Sequence, residues 1–237
     1  MINNPNGKSN YKDLCRTTVV DIMHLDESYV DVCSVFKGAL KLFSGGAGKY
    51  EKNIYCGYMN YWLNQQLKSS INPICDTNTF FTTMINNDTE NYTTLNNCKG
   101  EIYNMEEPEF NNIYVLDNMY KNLNEYKAKM KTRHGEACEN AKECSRLYNS
   151  IIGKCVKEKT SSLCNELSNI NSKIKKEGWM KEGNNVCGDI LPLLSAEEAY
   201  ELNGKSTFFI NIISISVIMV GMIFIFLIFY KVNKHFI

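Results

Sequence analysis

The chain has 237 residues and a formal net charge of zero, with 26 basic and 26 acidic side chains; that length suits one sizeable domain with an appended segment. The charge is unevenly placed: residues 76–120 hold eight acidic side chains and one lysine, and 121–181 hold fourteen basic against seven acidic. The lysines of the basic half interleave with apolar residues at helical spacing, as on a solvated helix face, which speaks against a nucleic-acid-binding groove.

Apolar residues recur at helical intervals through most of the chain and period-two alternation is scarce, so an all-α fold is expected. Helices are predicted over 11–24 and 27–43, the second carrying Cys33, Phe36, Leu40 and Phe43 on one stripe. The glycines of "SGGAGK", residues 44–49, break that pattern. Residues 50–68 form the next predicted helix, with Ile54, Tyr58, Tyr61 and Trp62 as its core-facing stripe.

Between Ile71 and Pro108 the helical signal weakens to a short stretch over 76–85, and a surface loop tied down by Cys75 and Cys98 is expected. Asn87 and Asn91 head N-x-T sequons there, acceptors for glycans on a secretory route. Helices follow over 110–132, through Ile113, Leu116, Tyr120, Leu123, Tyr126 and Met130, and over 136–152, through Cys144, Tyr148 and Ile151. Over 156–176, Val156, Thr160, Leu163, Leu167, Ile170 and Ile174 alternate spacings of four and three, the pattern of a helix packed lengthwise on a neighbour.

Residues 208–230 run 23 positions without a charge, about 34 Å as a helix against a hydrocarbon core of roughly 30 Å. A single transmembrane helix is expected. Lys231 and Lys234 behind it, against Glu197, Glu198 and Glu201 before it, place the tail in the cytosol and the bulk of the chain outside. The start of the chain has no basic and apolar signal-peptide pattern. The predicted organisation is a helical, Cys-rich ectodomain over 1–190, a membrane-proximal stalk over 191–207, a transmembrane helix over 208–230 and a tail over 231–237. The fold class is thus all-α, a disulfide-stabilised helical ectodomain followed by one C-terminal transmembrane helix.

All ten cysteines, Cys15, Cys33, Cys56, Cys75, Cys98, Cys138, Cys144, Cys155, Cys164 and Cys187, precede that apolar run, which points to an oxidised ectodomain. Spacing leaves their pairing open. Zinc favours close C-x2-C pairs, and none exists; His134, Cys138 and Cys144 come nearest to a ligand cluster, so no metal and no cofactor is expected. "SGGAGKY" fails the phosphate-loop pattern at Phe43 and Tyr50. The histidines stand in no nucleophile motif, and Glu106, Glu107 and Glu109 read as a solvated acidic loop, so no catalytic residue is predicted.

The run "YCGYMNYWLNQQL", residues 55–67, resembles a hallmark of the PIR superfamily of malaria parasites, specifically its Vir-type proteins, with Tyr58, Asn60, Tyr61, Trp62 and Leu63 as structural motif residues. "LDNMYKNLNEYKAKM" at 116–130 and "CENAKECSRLYNSIIGKC" at 138–155 are similar to the second part of that pattern. The resemblance implies a non-enzymatic variant antigen exported to the infected red cell or its membranes, acting in immune evasion or adhesion. Its partners would be membrane lipid through the span and a host receptor or antibody, with no nucleic acid; no oligomeric state is indicated. The competing expectation is an internal membrane-tethered scaffold whose N-terminal body faces the cytosol with reduced cysteines.

Overall fold

The computed structural model describes residues 11–45, 51–69, 75–88, 95–177, 187–188 and 190–202. Among these every regular element is helical and none is a strand. The chain divides into two compact units, Met1–Ile113 and Tyr114–Ile237, each with its own apolar cluster.

In the first unit, α1 (Lys12–Arg16) runs on into a π-helical turn over Thr17–Ile22. The chain leaves that turn through His24, whose φ of 55° is left-handed, and Leu25 N–H closes it on the Val19 carbonyl at 2.9 Å. Asp26 then receives the Ser28 N–H at 2.8 Å and starts α2 (Ser28–Gly45). The predicted stripe holds here: Cys33, Phe36 and Leu40 have no exposed surface and Phe43 packs against the cluster. Helix α3 spans Lys52–Lys68, and α4 spans Thr77–Asn86. Asp76 caps α4, its Oδ1 accepting from Thr79 N–H at 2.9 Å and its Oδ2 from the Thr79 hydroxyl at 2.7 Å.

One feature of this core is ionic. Lys37 of α2 and Asp88, just past α4, place Nζ and Oδ2 2.8 Å apart with side chains 1% and 0% exposed. Burial drives the ammonium pKa down and Asp88 partly restores it; a pair so enclosed must be kept whole, because either charge alone would be stranded.

Helix α5 (Glu107–Lys129) begins in the first unit and ends in the second. It starts earlier than the apolar period suggests, because Pro108 is tolerated in a first turn and Glu107 and Glu109 complement the helix dipole there. In the second unit, α6 (His134–Ile151) passes into a 3-10 turn over Ile152–Val156, and α7 spans Ser162–Glu177. Met119, Leu123, Leu167, Ile170 and Ile174 are buried in its cluster. Tyr120 links two helices: its hydroxyl donates to Glu166 and accepts from Lys173 Nζ at 2.9 Å.

The expected fold class requires correction. Its helical, disulfide-bonded character stands, but no helix among the described residues is long and apolar enough to cross a membrane. The physical reason is plain in α5, whose 23 residues include Glu107, Glu109, Asp117, Lys121, Glu125, Lys127 and Lys129; seven charges cannot enter hydrocarbon. Residues 208–230, expected to span, and the tail 231–237 lie outside the described residues.

Candidate functional site

The motif stretch of α3 is where most of the predicted residues converge. Its buried face is Tyr55, Cys56, Met59, Asn60, Leu63, Asn64 and Leu67, not the predicted stripe: Ile54 is 58% and Tyr58 42% exposed. Tyr61 is buried against the Phe110 ring, and Trp62 packs on Phe36 at 6.3 Å between centroids. The stripe misleads because two amides, Asn60 and Asn64, point into the protein at i and i+4.

Those amides grip an extended stretch of backbone. Asn60 Oδ1 accepts from Tyr103 N–H at 3.0 Å, and Asn64 Oδ1 accepts from Met105 N–H at 3.0 Å, while Asn64 Nδ2 donates to the Tyr103 carbonyl at 2.9 Å. The Thr77 hydroxyl donates to Asn64 Oδ1 as well, at 3.0 Å, which ties in the start of α4. Residues 103–105 thus pair with side chains as they would with a neighbouring strand, satisfying buried backbone that has no helix of its own. Lys68 finishes the face, donating to the Met105 carbonyl at 3.2 Å and pairing with Glu107 at 3.1 Å.

Beside this network lies a pocket of about 310 Å³ lined by Asn64, Leu67, Lys68, Cys75, Asp76, Thr77 and Asn104. Its polar side chains are engaged by the protein itself, Asp76 and Asn104 with one another at 3.1 Å. Glu107 and Glu109 do not converge: one pairs with Lys68, and the other accepts from the Tyr103 hydroxyl at 2.7 Å, which pushes the Tyr103 pKa to about 12.

Eight of the ten cysteines pair, as Cys15–Cys33, Cys56–Cys98, Cys138–Cys187 and Cys155–Cys164. One expectation is thereby corrected: Cys75 and Cys144, counted among the disulfide candidates, remain thiols, so the loop between residues 75 and 98 is tied covalently at Cys98 alone, to α3 through Cys56. Cys144 sits on the inner face of α6, donating to the Met119 carbonyl at 3.6 Å, and burial pushes its pKa to about 12. It therefore does not join His134 and Cys138; the third residue beside them is Cys187, from distant sequence. Of the sequon asparagines, Asn87 caps α4 with its Nδ2 donating to the Thr83 carbonyl at 2.9 Å, and its neighbour Asp88 is the buried partner of Lys37. Asn91 lies outside the described residues.

In the second unit, residues 190–202 lie against α6 and its 3-10 turn. The Asn149 amide clamps their backbone, with Nδ2 donating to the Pro192 carbonyl at 2.8 Å and Oδ1 accepting from Leu194 N–H at 2.9 Å. Residues 196–202 are helical and Ala199 is 1% exposed. Many of the basic groups counted in the sequence are ion-paired here, Lys127 with Glu177 and Arg146 with Glu143 among them. No protein-family model, curated protein or solved structure matches this chain.

Proposed function

We propose that the chain is a non-enzymatic variant surface antigen of the PIR superfamily, Vir-type, presented by a malaria parasite at the infected red cell and acting in immune evasion or adhesion. The observation that carries this reading is the use made of the motif residues. Cys56, Asn60, Tyr61 and Leu63 are buried in the scaffold and Trp62 packs against it, while Tyr58 is 42% exposed, so most of the residues that carry the resemblance hold the fold and leave the outer faces free to vary. The four disulfides support this reading, since such bonds form and persist in oxidising surroundings. A host receptor or antibody would meet the exposed helix faces and loops, where a substitution changes recognition at little expense to folding.

Protease treatment of intact infected cells tests the proposal. An antibody against the folded region should lose its signal in step with a known surface protein. Survival of the chain while that control is digested would overturn surface display. A second readout is alkylation of the denatured chain before reduction: two reactive positions per chain, Cys75 and Cys144, fit the oxidised form, and ten would fit a reduced cytosolic scaffold.

A further inference from the structure

We infer that one end of the second unit is a docking surface for a linear sulfated glycan. The last turns of α5 and α7 and the first turn of α6 meet there: Lys127 Nζ lies 2.8 Å from Glu177 Oε1, tying α5 to α7, and Lys129 Nζ lies 3.4 Å from Glu136 Oε2, tying α5 to α6. The carboxylates at this end are all engaged by the protein. Glu177 serves Lys127, Glu125 serves Lys129 at 2.8 Å, and Glu136 is shared by Lys129 and Arg133. Lys131, Lys175 and Lys176 are exposed and have no carboxylate partner among the described residues, so the surface carries a net positive charge. Helix dipoles account for lysines in the last turns of α5 and α7 one helix at a time. They do not call for three helix ends to gather their cations on one face, nor for Lys131 and Arg133 in the turn between α5 and α6.

The cations themselves select the partner. Neighbouring helix axes lie about 8–10 Å apart, and a face built from three helix ends spreads its charges over that range, which suits a chain of repeated anionic groups better than one small anion. Lysine dominates, a compact point charge on a flexible stem that meets sulfate oxygens from many directions. Recognition of an acidic or phosphorylated peptide favours the bidentate fork of arginine, and the arginine at this end, Arg133, is paired with Glu136. Tyr126, the nearest ring along α5, is buried and offers no platform for a stacked base. The other end of the unit is not basic, since Lys154, Lys157 and Lys159 stand among Glu158, Glu197, Glu198 and Glu201. Residues 190–202 lie at that other end, clamped by Asn149 and crossing Gly153, about 22 Å along α6 from His134 at 1.5 Å per residue. The positive charge is thus segregated to the end of α6 remote from the segment that leads on to the uncharged run 208–230. Sulfated glycans are polymers of the cell exterior, so this partner rests on the outward display proposed above.

The test is a titration of the full, oxidised chain with heparin as the sulfated probe, repeated at several salt concentrations. Saturable binding that weakens as salt rises is expected. Lys131→Gln, Lys175→Gln and Lys176→Gln together should weaken it at least about tenfold. Lys154→Gln, Lys157→Gln and Lys159→Gln together, the same loss of charge at the other end, should leave it unchanged. All six side chains are exposed, and circular dichroism checks that both variants keep their helices. Absence of binding, or equal weakening in the two variants, would overturn the surface, since attraction would then be missing or would follow net charge alone. Equal affinity for hyaluronan, an unsulfated carboxylate polymer, or tighter binding to single-stranded DNA than to heparin, would overturn the sulfated partner. Failure of this titration on purified chain leaves display untouched, and failure of display is read separately, in the protease assay on intact cells.

Discussion

The backbone of Tyr200 runs so close over Gly153 that a Cβ at position 153 would lie 3.0 Å from the Tyr200 nitrogen and 3.2 Å from the Ala199 carbonyl carbon. Glycine is required there for proximity, since the obstructing atoms are main chain and cannot rotate aside. Gly153→Ala should therefore destabilise the second unit by about 1–3 kcal/mol, read as a lower denaturation midpoint. Limited proteolysis should also cut faster within 190–202, because that stretch would lift from the 3-10 turn it covers.

The Asn64 amide serves three main-chain or hydroxyl partners outside its own helix, at Met105, Tyr103 and Thr77. Asn64→Ala leaves them buried without a partner, a loss of about 3 kcal/mol. On the same helix, Ile54→Ala at an exposed position should change stability by no more than about 0.5 kcal/mol. Chemical denaturation of the two variants separates a structural motif from a binding stripe, since a binding stripe would place the greater cost at neither position.

Much of the helical layout is legible because amphipathic periods survive into the fold: Cys33, Phe36 and Leu40 on α2 and Leu167, Ile170 and Ile174 on α7 are buried as spaced. The register of α3 is not legible, because a polarity scale assigns Asn60 and Asn64 to solvent, whereas both are 1% exposed. Only the unpaired backbone at 103–105 explains them, and that lies some forty positions away along the chain. The start of α7 is displaced for a related reason. Val156 and Thr160 continue its apolar rhythm, but the Cys155–Cys164 bond closes a loop of separation 9 and the Ser161 hydroxyl receives the Cys164 N–H at 3.3 Å, so the helix restarts at Ser162. Disulfide partners are set by which helices pack, and spacing carries no record of that. The division into two apolar clusters is equally silent, since α5 crosses it as one uninterrupted helix.

The two thiols differ in kind. Cys75 is half-exposed, and Cys144 is buried with its pKa pushed to about 12. An alkylating reagent at neutral pH should modify Cys75 in the native chain and reach Cys144 only after denaturation, because the thiolate is the reactive form and burial removes both it and the approach path. Peptide mapping by mass spectrometry checks this; native modification of Cys144 would mean that α6 does not seal against α5 as described.

The chain's dependence on pH follows from groups on both sides of neutrality. Glu166 is held below the ordinary carboxylate range, first by the Tyr120 hydroxyl and then by Asn169 and Lys173. A carboxylate with a depressed folded pKa binds fewer protons folded than unfolded, so its contribution is present above its unfolded value of about 4.5 and is lost as pH falls through the folded value. Tyr103 has the opposite sense. Its hydroxyl donates to Glu109 and its pKa rises to about 12, so its contribution is present below its ordinary value of 10.0 and is lost as pH climbs through 12. Tyr120, Tyr126 and Tyr148 are raised as well, each chiefly by burial. Denaturation midpoints should therefore hold level between about pH 5 and 9, the ordinary value of the Cys144 thiol whose pKa burial also raises to about 12, and fall on either side. Tyr120→Phe should cost about 1 kcal/mol at neutral pH and make the acid limb shallower, because Glu166 then loses the main hydrogen bond to its charged form. An unchanged acid limb in that variant would show that the link between α5 and α7 does not pass through these two side chains.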